Sequence, residues 1–270
     1  MFLPIVQGPF RTGDDDSTSG GGGNTGGGSG GGSSPTTFDF DVTNVTSDYN
    51  LQQDLISRGH DGVSAVNVTL ELGTFANPIS LNASSTSTAA FTAHLPVGST
   101  LTLSIQGDII GKGGAGGAPQ SDTRFQGNPG GAGGHAISLE NVTANITLKS
   151  FSSIKAGGGG GGSGGASKGN GSFISEGDGG CQFPQTPVPG DSGGSGAGPN
   201  PATAGSNNGG NGGDFGSAGQ AGTAGAAVGA CAVNTAGGDP GAAGKAIHHV
   251  ANVTQTLTVQ AAATVAGATS

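Results

Sequence analysis

Ala156-Gly157-Gly158-Gly159-Gly160-Gly161-Gly162-Ser163-Gly164-Gly165 is a run in which almost no residue carries a side chain. Six other glycine-dense segments accompany it, at 111–117, 127–134, 190–198, 209–213, 216–225 and 237–244. Several repeat glycine at every third position, as in Gly190, Gly193, Gly196, or Gly216, Gly219, Gly222, Gly225, or Gly238, Gly241, Gly244. Three residues per turn is the polyproline II period, a helix without internal hydrogen bonds. Its N–H and C=O groups must find partners outside the helix, because buried unpaired groups are costly. Collagen solves this with three long chains and proline between the glycines. Here the runs are short, lack that proline and are broken by loops, so collagen is excluded. The remaining solution packs short glycine helices side by side within one chain, antiparallel and bonded backbone to backbone. Any Cβ facing a neighbour would push the helices apart.

Composition agrees. Of 270 residues, 60 are glycine, against roughly 7% in ordinary proteins. With 11 Phe, 1 Tyr and no Trp, an aromatic-centred core cannot be assembled. Only 9% of residues are charged, which argues against polar disorder. The net charge is −9 with 8 Lys and Arg, so no basic footprint for nucleic acid exists. No apolar run reaches the ~18 residues of a membrane span. Met1-Phe2-Leu3-Pro4-Ile5-Val6 lacks a basic n-region and a long apolar core, so the expectation is synthesis in the cytosol without a secretory signal.

The chain divides by texture into four parts. Residues 1–19 form an apolar peptide that ends in Asp14-Asp15-Asp16, a solvated charge run. Residues 20–36 are a Gly/Ser-rich linker. Residues 37–110 read as a small β-rich domain with one short helix. Phe38, Phe40, Val42 and Val45 suggest a first strand, and Val66, Val68, Leu70 and Leu72 alternate as a half-buried strand does. Leu101, Leu103 and Ile105 alternate again, ahead of Ile109 and Ile110. Ser47–Gly59 predicts the helix, with Leu51 and Leu55 on one face, Asp54 and Arg58 paired, and Gly59 as its stop. Residues 111–270 are the glycine-rich part. Two strand-like stretches in it, Ala136–Lys155 and Ala246–Val259, are expected to staple the bundle at its base. The fold class is therefore mainly β and irregular: a β-rich N-terminal domain followed by a polyglycine II sandwich.

The block Leu103-Ser104-Ile105-Gln106-Gly107-Asp108-Ile109-Ile110-Gly111-Lys112-Gly113-Gly114-Ala115-Gly116-Gly117 resembles the tail-fibre tip adhesins of T-even-type bacteriophages. The resemblance continues through Gly130-Gly131-Ala132-Gly133-Gly134-His135-Ala136-Ile137 to Ile154-Lys155-Ala156 and Gly157–Gly162. It implies an N-terminal part attached to other tail or fibre proteins of the virion. It also implies distal loops that contact a host outer-membrane protein or surface glycan. The family's N-terminal region is rich in Trp and Arg, whereas a Phe/Pro peptide and a glycine linker stand here.

Threading the helices alternately out and back gathers loops 118–126, 166–176 and 226–236 at one end. The candidate receptor contacts are therefore Gln120, Asp122, Arg124, Phe125, Gln126, Lys168, Asn170, Phe173, Ile174, Val233 and Asn234. The candidate attachment residues are Phe2, Leu3, Ile5, Val6 and Phe10. Cys181 and Cys231 allow two threadings. In the favoured one, 190–198 returns, 209–225 runs out as one broken helix, and the cysteines share the distal end, where a disulfide is possible. In the other, 177–180 is a short return, Asp214-Phe215 makes a turn, and the cysteines lie at opposite ends.

No cofactor or metal is expected. Lys112 precedes its glycines and no helix follows, so the phosphate-loop pattern fails. His248-His249 lack further ligands at metal spacing and read as strand-end polar residues. The sequons at Asn44, Asn67, Asn82, Asn141, Asn145, Asn170 and Asn252 read as polar faces of β segments. No nucleophile–base constellation emerges, so an enzyme is not expected. The leading function is a virion adhesin that binds a host receptor. The alternatives are a virion structural element without receptor contact and an ice-binding protein, the latter disfavoured by long irregular loops.

Overall fold

The protein is described by a computed structural model, over residues 35–120, 126–168, 187–226 and 233–270. Its elements are β1 (Thr36–Val42), β2 (Tyr49–Asn50), α1 (Leu51–Ser57), β3 (Val66–Leu72), β4 (Ile79–Asn82), β5 (Phe91–Ile105) and β6 (Gly107–Ile110). They continue with β7 (Ile137–Leu148), β8 (Ser153–Lys155), β9 (Ser167–Lys168), β10 (Pro187–Val188), β11 (Val233–Asn234), β12 (Lys245–Ala251), β13 (Thr254–Val259), β14 (Thr264–Ala266) and β15 (Ala268–Thr269).

Two sheets make the base, and every pairing in them is parallel. One has the order β1-β3-β5-β7-β12-β15, with β13 also on β7 and β2 on β5. The other has the order β14-β8-β6-β4. Each long strand turns a corner into a short one: β3 into β4, β5 into β6, β7 into β8, β13 into β14. The chain therefore climbs in rungs, and the stack draws strands from both sides of residue 110.

Strict register makes this stack from ordinary alternation. Leu70, Leu103, Ile146 and Leu257 align in one column, and Leu72, Ile105, Leu148 and Val259 in the next. Leu81, Ile109, Ile154 and Val265 align on the second sheet. The inner members of these columns are buried, and full burial of each such side chain is worth about 1.5–3 kcal/mol. Bends fall at Asn141 and Asn252, both at positive φ, and the Asn252 amide donates to Asn141 Oδ1 at 2.8 Å. Two of the sequon asparagines thus hold a corner.

The helix starts later than its sequence suggests. Ser47 bridges Asn82, Asp48 takes the left-handed φ +47, and Tyr49–Asn50 pairs with β5, so the chain is not yet helical there. Asn50 caps α1 by accepting the Gln53 N–H at 3.1 Å. Leu51 and Leu55 are buried as expected, Arg58 meets Asp54 at 3.2 Å, and Gly59 takes φ +96. Arg58 also lies over the Phe40 ring at 3.9 Å, covering the outermost rung.

Above the base stands the glycine bundle. Segment 157–165 is its axis, and residues 156–167 are all buried. Its N–H groups donate in turn to three segments: Gly157, Gly160 and Ser163 to Gly134, Gly131 and Asn128; Gly158, Gly161 and Gly164 to Ala197, Gly194 and Asp191; Gly159, Gly162 and Gly165 to Ser217, Gln220 and Thr223. Its carbonyls accept from three more. Gly114 and Gly117 donate to Gly158 and Gly161, Gly213 and Gly210 to Gly159 and Gly162, and Gly244, Gly241 and Gly238 to Gly157, Gly160 and Ser163. Each partner recurs every third residue, the period of the extended glycine helix.

Two expectations about the bundle are corrected, and one segment is new. Segments 111–117 and 216–225 run parallel to the axis, because their bonds ascend together, so the packing is not uniformly antiparallel. Segment 209–225 is not one broken helix: Gly210 and Gly213 run back, Ser217 N–H closes a turn on Asp214 O at 2.9 Å, and 217–223 runs out. An unforeseen outward segment, 199–206, pairs with 190–198 through Thr203 N–H on Ser195 O and Ser206 N–H on Ser192 O. It lies at the exposed border, where side chains meet solvent and glycine is unnecessary.

Candidate functional site

The loop-bearing end of the bundle is where the chain converges. Lys168 in β9 pairs with Pro187 of β10 on one side and Val233 of β11 on the other, both antiparallel. Segments 169–186 and 227–232 therefore leave from and return to neighbouring points. Thr235 donates N–H and Oγ1 to Ala166 O at 3.1 and 3.2 Å, and Gly225 N–H donates to Thr235 O. Those bonds pin both flanks of 227–232.

The other loop roots are close by. Gly190 N–H donates to Gln120 O, and Gly127 N–H to Ala236 O, both at 2.8 Å. Asn128 N–H donates to the buried Ser163 Oγ at 2.7 Å, and its amide donates to Ala118 O at 2.9 Å. A further turn, 206–209, belongs to the same end and was missed from sequence. Asp191 accepts from Asn208 N–H at 3.3 Å, and Asp191 O accepts from Gly164 on the axis. Its signal was present as Asn208-Gly209 beside Asn207, which takes φ +26.

Of the candidate contacts, Gln120, Gln126, Lys168, Val233 and Asn234 lie at this end, with Gln126 and Asn234 exposed. Asp122, Arg124, Phe125, Asn170, Phe173 and Ile174 lie outside the described residues, as do Cys181 and Cys231. The candidate attachment residues Phe2, Leu3, Ile5, Val6 and Phe10 lie outside them too.

Titratable chemistry gathers elsewhere, where bundle meets base. The His135 ring stacks on His248 at 4.1 Å, and His135 Nδ1 accepts the Lys245 N–H at 2.9 Å. Burial lowers the pKa of both imidazoles, helped by each other's environment of His and Lys charge. His94 meets Ser138 Oγ at 2.9 Å and Glu140 at 3.4 Å, and His249 Nε2 meets Gln255 Oε1 at 2.6 Å. His94, His135 and His249 thus have polar partners of their own, and His248 is held by the ring stack. Among the described residues no cluster of three metal-ligating side chains occurs, and no helix is long and apolar enough to cross a membrane.

A register-locked β base carrying a backbone-bonded glycine bundle, with its connections gathered at the far end, defines a glycine-rich, loop-presenting β protein. The family model described as phage tail fibre adhesin Gp38 matches residues 37–269, and the chain belongs to that family. It is therefore a phage tail adhesin, a virion-associated protein of the particle surface. No curated protein and no solved structure matches it.

Proposed function

We propose that this adhesin binds a host-cell surface receptor, an outer-membrane protein or a glycan, through the loops at the far end of its glycine bundle. The observation that supports this is the meeting of Pro187 and Val233 on Lys168, with Gln120 and the 206–209 turn beside them. A rigid backbone lattice below and irregular connections above is what recognition by loops needs, because loops tolerate change that a lattice does not. The lattice has no catalytic role, and its strength is backbone pairing. Residues 1–19 tie the protein to another tail or fibre protein through Phe2, Leu3, Ile5, Val6 and Phe10, with 20–36 as tether. The chain is assembled in the host cytoplasm and carries no cofactor.

Purified protein incubated with envelopes from susceptible and resistant hosts tests the receptor reading. Retention on the susceptible envelope alone is the expected result. Equal retention on both, or on neither, contradicts it and favours a structural part without receptor contact.

A further inference from the structure

The glycine lattice and the parallel sheet hand over to each other at one side chain. Ala136 N–H donates to Lys245 O at 3.0 Å, just ahead of the ladder between β7 and β12. A parallel ladder would send the Lys245 N–H to the carbonyl two residues before Ala136. That carbonyl, Gly134 O, already accepts the Gly157 N–H of the axis at 2.9 Å. The His135 ring takes its place, with Nδ1 accepting the Lys245 N–H at 2.9 Å. An accepting Nδ1 puts the proton of the neutral ring on Nε2. Elsewhere in the described lattice, side chains that accept main-chain N–H groups do so through oxygen: Ser163, Asp191, Thr203 and Asn211.

The ring is not free to turn away from this bond. It stacks on His248 at 4.1 Å with 26° between the planes. Positive groups surround the pair. Lys245 and His248 of β12 act on His135; Lys245, His249 and, from β5, His94 act on His248. Burial first, and then these neighbours, lower the pKa of both rings. Glu140 of β7 brings a carboxylate to the group, but it stands against His94 at 3.4 Å. Among the described residues no carboxylate pairs with His135 or His248. Four of the chain's five histidines thus gather around this junction.

One bond there fastens two segments. Segments 127–134 and 237–244 lie side by side, with Gly130 N–H on Asp239 O and Gly133 N–H on Ala242 O. They follow loops 118–126 and 226–236 in the chain. A proton on Nδ1 would turn the acceptor into a donor that faces the Lys245 N–H, and would set a second charge beside Lys245.

We infer that His135 is an acid-released latch between bundle and base. Neutral, it fastens the roots of 127–134 and 237–244 through Lys245. Protonated, it frees the Lys245 N–H, and both roots open locally while the axis and the β core stay closed.

Hydrogen exchange of the full-length protein, corrected for the intrinsic effect of pH, is compared at about pH 7.5 and about pH 5. His135 is titrated by NMR in the same samples. Protection at the Lys245 amide should fall about tenfold or more, with its midpoint at that of His135, while Gly160 and Leu103 keep theirs. Unchanged protection at Lys245 overturns the inference. So does an equal fall at Gly160 and Leu103, which is global unfolding, and so does a midpoint apart from that of His135. His135→Asn supplies an oxygen acceptor that does not titrate, and should hold Lys245 equally at both pH values. A fall as large as in the unaltered protein assigns the switch to another group and overturns the latch. The coincidence of midpoints needs only the unaltered protein, so it decides even where the variant fails to fold.

Discussion

His135 Nδ1 accepts the main-chain N–H of Lys245 at 2.9 Å. This bond ties the two places where returning glycine segments enter the base, ahead of β7 and at β12. The His248 ring stacks on His135, and His94, His249 and Lys245 add positive character nearby. Protonating His135 removes the acceptor and places charge beside these groups.

Burial holds both imidazoles below the ordinary value of 6.5. The unfolded chain therefore binds more protons than the folded one as pH falls from 6.5. Their contribution to stability is intact above 6.5 and is lost as pH falls towards the depressed folded values. The melting temperature should be lower near about pH 5 than near about pH 7.5. His248→Ala should shrink that difference. A difference as large in the variant as in the unaltered protein, measured calorimetrically, contradicts this.

Position within the bundle decides what a glycine tolerates. A Cβ at Gly160 would collide with the Ala115 carbonyl oxygen, on an axis closed on all sides. At Gly131 the nearest atom to an added Cβ is Ala115 N at 3.1 Å. Gly160→Ala should cost about 3 kcal/mol or more, as overpacking does. Gly131→Ala should stay within about 1 kcal/mol of the parent, since a stiffer unfolded chain offsets a tight contact. Denaturant melts of the two variants check the ordering.

Ser163 interrupts the polyglycine run for a reason. Its buried hydroxyl accepts the Asn128 N–H at 2.7 Å, holding the root of loop 118–126. Ser163→Ala should cost about 1 kcal/mol, because the half-buried Asn128 N–H loses its partner. Hydrogen exchange should accelerate at the Asn128 amide more than at amides deeper in the axis. Unchanged protection at Asn128 would show that the hydroxyl is dispensable.

Cys181 and Cys231 flank the β9–β11 meeting point in sequence. Cys231 is two residues from Val233 and Cys181 six from Pro187, and both of those residues pair with Lys168. A disulfide between them is expected after release from the reducing cytosol. It would close a loop of about 50 residues and stabilise by roughly 4 kcal/mol. Thiol counting on denatured, unreduced particles should find none free, and two free thiols would contradict the bond.

Local pattern carried the strands and the glycine helices, and non-local pairing stayed hidden. The alternation of Leu101, Leu103 and Ile105 marks β5, but nothing local says that Leu103 stacks between Leu70 and Ile146. Ile79–Asn82 is too short to alternate visibly and is a strand because Ile109 lies beside Leu81. Segment 199–206 carries no glycine-triplet signal, since Pro199-Asn200-Pro201 lacks the glycine that only interior helices demand. At the site, turn chemistry and length located the loop end. The family resemblance supplied its purpose, because no residue there carries recognisable chemistry by itself.

The most direct test is exchange of segment 169–186, together with 227–232, for the corresponding loops of a related adhesin with another host. Particles carrying the exchanged protein should adsorb to the donor's host and lose the original one, with the melting temperature little changed. Adsorption that stays on the original host would contradict recognition through this end of the bundle.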